Sequence, residues 1–200
     1  YMDGDYIQTY PPSTLPLKLG SVGGLHTWKG FDKALNLLEY FAKNNKLTLN
    51  YKIIGRGPEL DNLSKQASAL HPEINVDFLG YEKAPYSCLR DTPIIIIPSL
   101  EEGFGLIAIE SIFQGKILLF SDIPALREIC SEDPISFSFN VQSSESFSVA
   151  LKSAISSLPK TQNAELIEKR KAHVLEKFGL EPFFNRHQLF LERQLQTNQT

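Results

Sequence analysis

The run Ile94-Ile95-Ile96-Ile97 constrains this chain more than any other feature. Successive side chains of a strand point to opposite faces. A strand with no polar face has to be covered on both sides, as in a parallel sheet between two layers of helices. The rest of the chain fits that demand. Further apolar strand candidates are Leu17–Val22, Leu49–Ile54, Asn75–Leu79, Ile117–Phe120 and Ile135–Phe139. Helical patterns lie between them. Phe31, Ala34, Leu35, Leu38, Phe41 and Ala42 follow helical spacing from Gly30 onward. Pro58 suits the first position of a helix that continues through Leu60, Leu63 and Ala67. Further helices are expected over Ala84–Arg90, Pro124–Cys130 and Ser144–Leu158. Such alternation predicts an α/β fold, a Rossmann-like doubly wound parallel sheet of about six strands. Right-handed crossovers then gather the loops that follow the strands along one edge.

Composition excludes several classes of function. The 200 residues are 42% hydrophobic and 22% charged, ordinary for a soluble globular domain. A net charge of −3 leaves no basic surplus for nucleic acid and no basic tract to hold a membrane. No apolar run approaches membrane-spanning length, and no signal peptide is recognisable. Cys88 and Cys130 form neither a metal spacing nor a disulfide framework, and read as reduced cysteines of a cytosolic fold. Tyr10-Pro11-Pro12-Ser13 marks residues 1–16 as a linker. The main domain is expected over residues 17–195, with 196–200 as a tail. Ala164 to Gln196 reads as two helical stretches broken near Gly179 and Pro182.

The chemistry concentrates in Glu102-Gly103-Phe104-Gly105-Leu106-Ile107-Ala108-Ile109-Glu110, where the buried strand hands over to a helix. Ligands of open α/β sheets bind at such strand ends. Gly103 and Gly105 allow a sharp turn and a close backbone approach. The helix start offers unpaired N–H groups, an anion site suited to phosphate. Carboxylates repel phosphate but accept hydroxyl donors. The combination suggests a ligand that is part anion and part polyol. The alternative is that Glu102 only favours the helix start and Glu110 is solvated. Against this, the helix keeps only a narrow polar stripe of Glu110, Ser111 and Gln114.

This segment resembles the paired-glutamate motif of retaining glycosyltransferases of the GT-B fold, in particular glycosyltransferase family four. Pro98-Ser99-Leu100-Glu101 before it and Ser121-Asp122-Ile123-Pro124-Ala125-Leu126-Arg127-Glu128-Ile129 after it are similar too. So are Leu19-Gly20-Ser21-Val22-Gly23-Gly24-Leu25 with Lys29-Gly30, Ile53-Ile54-Gly55-Arg56-Gly57-Pro58-Glu59, and Asp77-Phe78-Leu79-Gly80. The resemblance implies the C-terminal, donor-binding half of a GT-B fold. Its substrate would be a UDP- or GDP-linked sugar, and its reaction glycosyl transfer with retention. No metal or other cofactor is implied. The chain begins at Tyr1, so a fragment is expected, with the N-terminal acceptor domain missing. Any membrane contact would run through that domain, at the inner face of a membrane, from a cytoplasmic location.

The resemblance also implies roles. Glu102 would hold hydroxyls of the transferred sugar and Glu110 the ribose diol. Backbone N–H groups of Phe104, Gly105, Leu106 and Ile107, beside Gly103, would contact the diphosphate, and Lys29 would neutralise it as it leaves. Gly23 and Gly24 line the donor, and Tyr81 stands where the family contacts the base. The family places an arginine five positions before the lysine; in this chain that residue is Gly24. Arg56 is the candidate substitute, and His26, mostly neutral at pH 7, the poorer one. Three readings stay open: a transferase, a non-catalytic sugar-nucleotide-binding or interaction domain that kept the fold, and another GT-B enzyme such as an epimerase. Phe178, Phe183, Phe184, Leu189, Phe190 and Leu191 could dock on another domain or pack on this one's own core.

Overall fold

Residues Ile94–Ile97 form strand β4, and all four isoleucines are buried. The structure, a computed structural model, describes residues 16–179. Its other strands are β1 (Leu17–Val22), β2 (Leu49–Ile54), β3 (Ile74–Gly80), β5 (Ile117–Ser121) and β6 (Ser136–Phe139). All pair in parallel, in the order β3-β2-β1-β4-β5-β6. The helices are α1 (Phe31–Asn45), α2 (Leu60–Ser68), α3 (Pro85–Cys88), α4 (Leu106–Phe113), α5 (Pro124–Cys130), α6 (Ser144–Ser156) and α7 (Ala164–Phe178).

Alternation within β4 divides the core in two. Ile94 and Ile96 join a cluster with α1, α2 and α6, while Ile95 and Ile97 join one with α4, α5 and Val174 of α7. Strand β4 is thus covered by helices from both sides, as its polar-free sequence demands.

Three helix expectations need correction. Pro58 lies in the turn before α2 and not at its first position. The Glu59 N–H is drawn to the Leu25 carbonyl at 3.1 Å, which ties residues 57–59 into a loop. Helix α3 is a single turn ending at Cys88, and the Leu89 and Thr92 carbonyls beyond it accept the buried Lys116 ammonium at 2.7 and 3.1 Å. That desolvated ammonium has its pKa lowered to about 7. Helix α6 ends at Ser156, and a 3-10 segment over Leu158–Gln162, with Pro159 in its first turn, follows it. Phe178 packs within the second core cluster, edge-on to Phe104. Residues 1–15 of the expected linker and the phenylalanines and leucines beyond Gly179 lie outside the described residues. Among the described residues no helix is long and apolar enough to cross a membrane.

Helix α7 is fastened by a buried ion pair. The Arg170 guanidinium donates to both Asp133 carboxylate oxygens at 2.5 and 3.0 Å and to the Lys116 carbonyl at 2.7 Å. Removing one member of a buried pair strands the other charge, at about 3–5 kcal/mol. Arg170→Met should lose that much in urea unfolding, and adding Asp133→Leu should recover most of it. A double variant no more stable than the single one would show that a stranded Asp133 charge is not the cause of the loss.

Candidate active site

In a parallel sheet every strand delivers its carboxyl end to the same edge. The strand order reverses between β1 and β4: the chain runs from β1 outward to β2 and β3, and from β4 outward to β5 and β6. The loops after β1 and β4 therefore diverge around a crevice, the place where open α/β sheets bind ligands.

The loop after β1 is tied to its neighbours on both sides. The Gly23 and Leu25 N–H groups donate to the Ile54 and Arg56 carbonyls, each at 2.9 Å. One 3-10 turn, Thr27–Lys29, then ends at Gly30, whose φ of 66° is left-handed. A Cβ at Gly30 would stand 2.1 Å from the Pro98 carbonyl oxygen, so only glycine lets this loop seat against the end of β4. The Trp28 carbonyl accepts the Leu100 N–H at 2.7 Å and completes the seam.

That seam brings together two residues of distant sequence. The Lys29 ammonium donates to Glu102 Oε1 at 2.6 Å, and the Ser99 hydroxyl donates to the same oxygen at 2.8 Å. The Lys29 and Glu102 side chains are only 20% and 11% exposed. The Ser121 hydroxyl, at the end of β5, donates in turn to the Ser99 carbonyl. Residues from β1, β4 and β5 thus fix Glu102. Lys29 has three donors, so one can stay on Glu102 while others serve a ligand.

Helix α4 starts at Leu106, with Gly105 as its left-handed cap at φ 78°. A Cβ there would press on Ile129 at 2.9 Å and Leu126 at 3.1 Å. Among the described residues no side chain caps this start, so the expected contacts of Phe104, Gly105, Leu106 and Ile107 belong to an uncapped helix end. Gly103 is exposed in the turn before it. Glu110, one turn along, is half-buried, and its carboxyl pKa is raised above the ordinary value by desolvation. The expected polar stripe is narrower still. Ser111 is fully buried, with its hydroxyl 2.8 Å from the Tyr86 hydroxyl, which also donates to the Ile107 carbonyl at 3.2 Å.

The remaining candidates form a second group. Arg56 and Tyr81 are exposed after β2 and β3, with the guanidinium 6.0 Å from the ring centre. The Arg56 guanidinium thus lies over the Tyr81 ring, and the space beside Gly24 is filled by His26. Sequence reasoning assigned no part to Ser99, Ser121 or the Trp28 carbonyl. Ser99 and Ser121 stand in the segments flanking the glutamate motif, but no spacing links a serine on one strand to a carboxylate after another. Among the described residues no three His, Cys, Asp or Glu side chains are grouped to hold a metal ion.

The family model for glycosyl transferases group 1 matches residues 7–172. An uncharacterized glycosyltransferase of Haemophilus influenzae is 34% identical over 110 residues, 54% of this chain and 31% of the relative. The O-antigen biosynthesis glycosyltransferase WclY of Escherichia coli is 30% identical over 118 residues, 59% of this chain and 32% of the relative. The chain thus spans about a third of the length of these curated relatives. A TarM variant of S. aureus, solved with Fondaparinux, alpha-GlcNAc-glycerol and UDP, superposes with a TM-score of 0.71 at 20% identity. That superposition covers 90% of this chain and 37% of the other, a likeness of fold. With the family model matched over most of its length, the chain belongs to the glycosyl transferases group 1 family.

Proposed function

We propose that this chain is the donor-binding half of a glycosyltransferase that takes a nucleotide-diphospho sugar and passes the glycosyl group to an acceptor with retention. The observation behind this reading is the Lys29–Glu102 pair at the β1/β4 reversal, three residues before the open cap of α4. A departing diphosphate gathers negative charge, which a preorganised ammonium and free helix N–H groups stabilise. Glu102, fixed through Ser99, accepts hydroxyls of the transferred sugar. Glu110 accepts the ribose diol, and no metal enters this reading. The UDP in the S. aureus neighbour favours a uridine over a guanosine donor. The relative WclY favours glycan or polysaccharide assembly as the setting. The acceptor is held by a further domain, in keeping with the greater length of the relatives.

Glycine at position 24 supports a second reading, a domain that binds the donor without cleaving it. Assays on the full-length protein separate the two. Glu102→Gln should keep UDP affinity within about threefold and lower kcat/KM by about 10²–10³-fold with the thermal midpoint unchanged. Unaltered turnover in that variant would exclude a part for Glu102 in glycosyl transfer. Wild-type protein that binds UDP-sugars yet transfers and hydrolyses none would establish the second reading.

Glu110 gives an independent test. Burial raises its carboxyl pKa in the folded chain above the ordinary 4.5. A raised acid favours folding only while protonated, and that benefit is lost as pH rises through the folded value. The ionised group therefore weighs on the fold at neutral pH. Glu110→Gln should raise the thermal midpoint at pH 7 while weakening UDP binding. The stability difference should shrink as pH falls through the folded value towards 4.5 and vanish below it. A variant less stable at pH 7 than the wild type would contradict this.

A further inference from the structure

Position 24 holds glycine although its backbone does not require one. Its φ lies outside the left-handed region, and the nearest backbone atom to a Cβ there is the Arg56 carbonyl oxygen at an ordinary 3.8 Å. What such a Cβ would meet is the His26 imidazole, with Cδ2 at 2.9 Å and Nε2 at 3.4 Å. The ring sits where a side chain at position 24 would begin. It is kept there by stacking on Trp28, with centroids 4.2 Å apart and planes 7° from parallel. Trp28 is 46% exposed, and its carbonyl is fixed by Leu100, so the stack stands in the crevice on an anchored loop.

Several cationic side chains already hold a partner, and Lys29 keeps further donors for a ligand. Lys29 is on Glu102, Arg56 over Tyr81, and Arg127 on Asp122. An imidazole offers at least one N–H donor in either protonation state. We propose that His26, seated over Gly24 and against Trp28, is a further donor-binding residue that donates to the diphosphate of the nucleotide sugar beside Lys29. This rests on the donor reading above. Gly24 is then the space that admits the ring, and the site keeps a second nitrogen donor where the family's arginine would enter.

Calorimetric titration of UDP and UMP into the full-length protein tests the assignment. His26→Phe keeps a stacked ring and removes the N–H donor. It should weaken UDP about tenfold, as loss of one charge-assisted hydrogen bond does, and leave UMP within about twofold. The double variant His26→Ala with Gly24→Arg clears the ring and supplies a guanidinium. It should bind UDP within about threefold of wild type. If His26→Phe binds UDP as wild type does while Lys29→Ala is weakened, the assignment is wrong and the donor reading stands. A double variant that keeps its thermal midpoint but fails to regain UDP affinity also overturns the assignment. Wild-type protein that binds neither UDP nor GDP removes the donor reading, and the role of His26 with it.

Discussion

Every later feature depends on covering β4 from both sides. Four successive isoleucines leave that strand no face for water, so helices must pack above and below it. Crossovers on a twisted parallel sheet take the same right hand, so helices reach both faces only where the direction of travel reverses. A strand order that starts in the middle and grows outward both ways has to reverse once, and it does so between β1 and β4. The crevice is a consequence of covering the core.

That geometry gives Glu102 an environment its sequence neighbours could not provide. Its carboxylate takes an ammonium from the loop after β1 and a hydroxyl from the end of β4, and Ser121 of β5 steadies the serine. A partly buried carboxylate held by two donors is preorganised, so less reorientation is left for the moment of reaction. A different charge cluster surrounds the connection from α3 to β4. There Asp91 accepts Lys18 and Lys52 at 2.6 and 2.9 Å, and their hydrogen bonds outweigh desolvation and lower its pKa to about 2. The first cluster lines the crevice; the second ties a surface connection to β1 and β2.

Much of this was legible in the residues. All six strands were anticipated, because short apolar runs, continuous or alternating, and glycine or proline punctuation mark them locally. Boundaries failed where a distant group intervened. Beyond α3 the Leu89 and Thr92 carbonyls turn to Lys116, and before α2 the Glu59 N–H bonds the Leu25 carbonyl, contacts between segments far apart in sequence. Ser111 was read as part of the polar stripe of α4 and is buried against Tyr86, a partner that nothing in α4 itself announces.

By itself the sequence determined the fold class, the strand-to-helix position of the glutamate motif and the family, because each is written in contiguous residues. Tertiary structure alone decided that Lys29 grips Glu102, that Arg56 lies over Tyr81, and that His26 fills the space over Gly24. Two of these contacts join different strand ends, and the third depends on the backbone path of an anchored loop. Hydrophobic periodicity fixes which face of an element is buried, but not which side chains the packed elements finally bring within hydrogen-bonding distance.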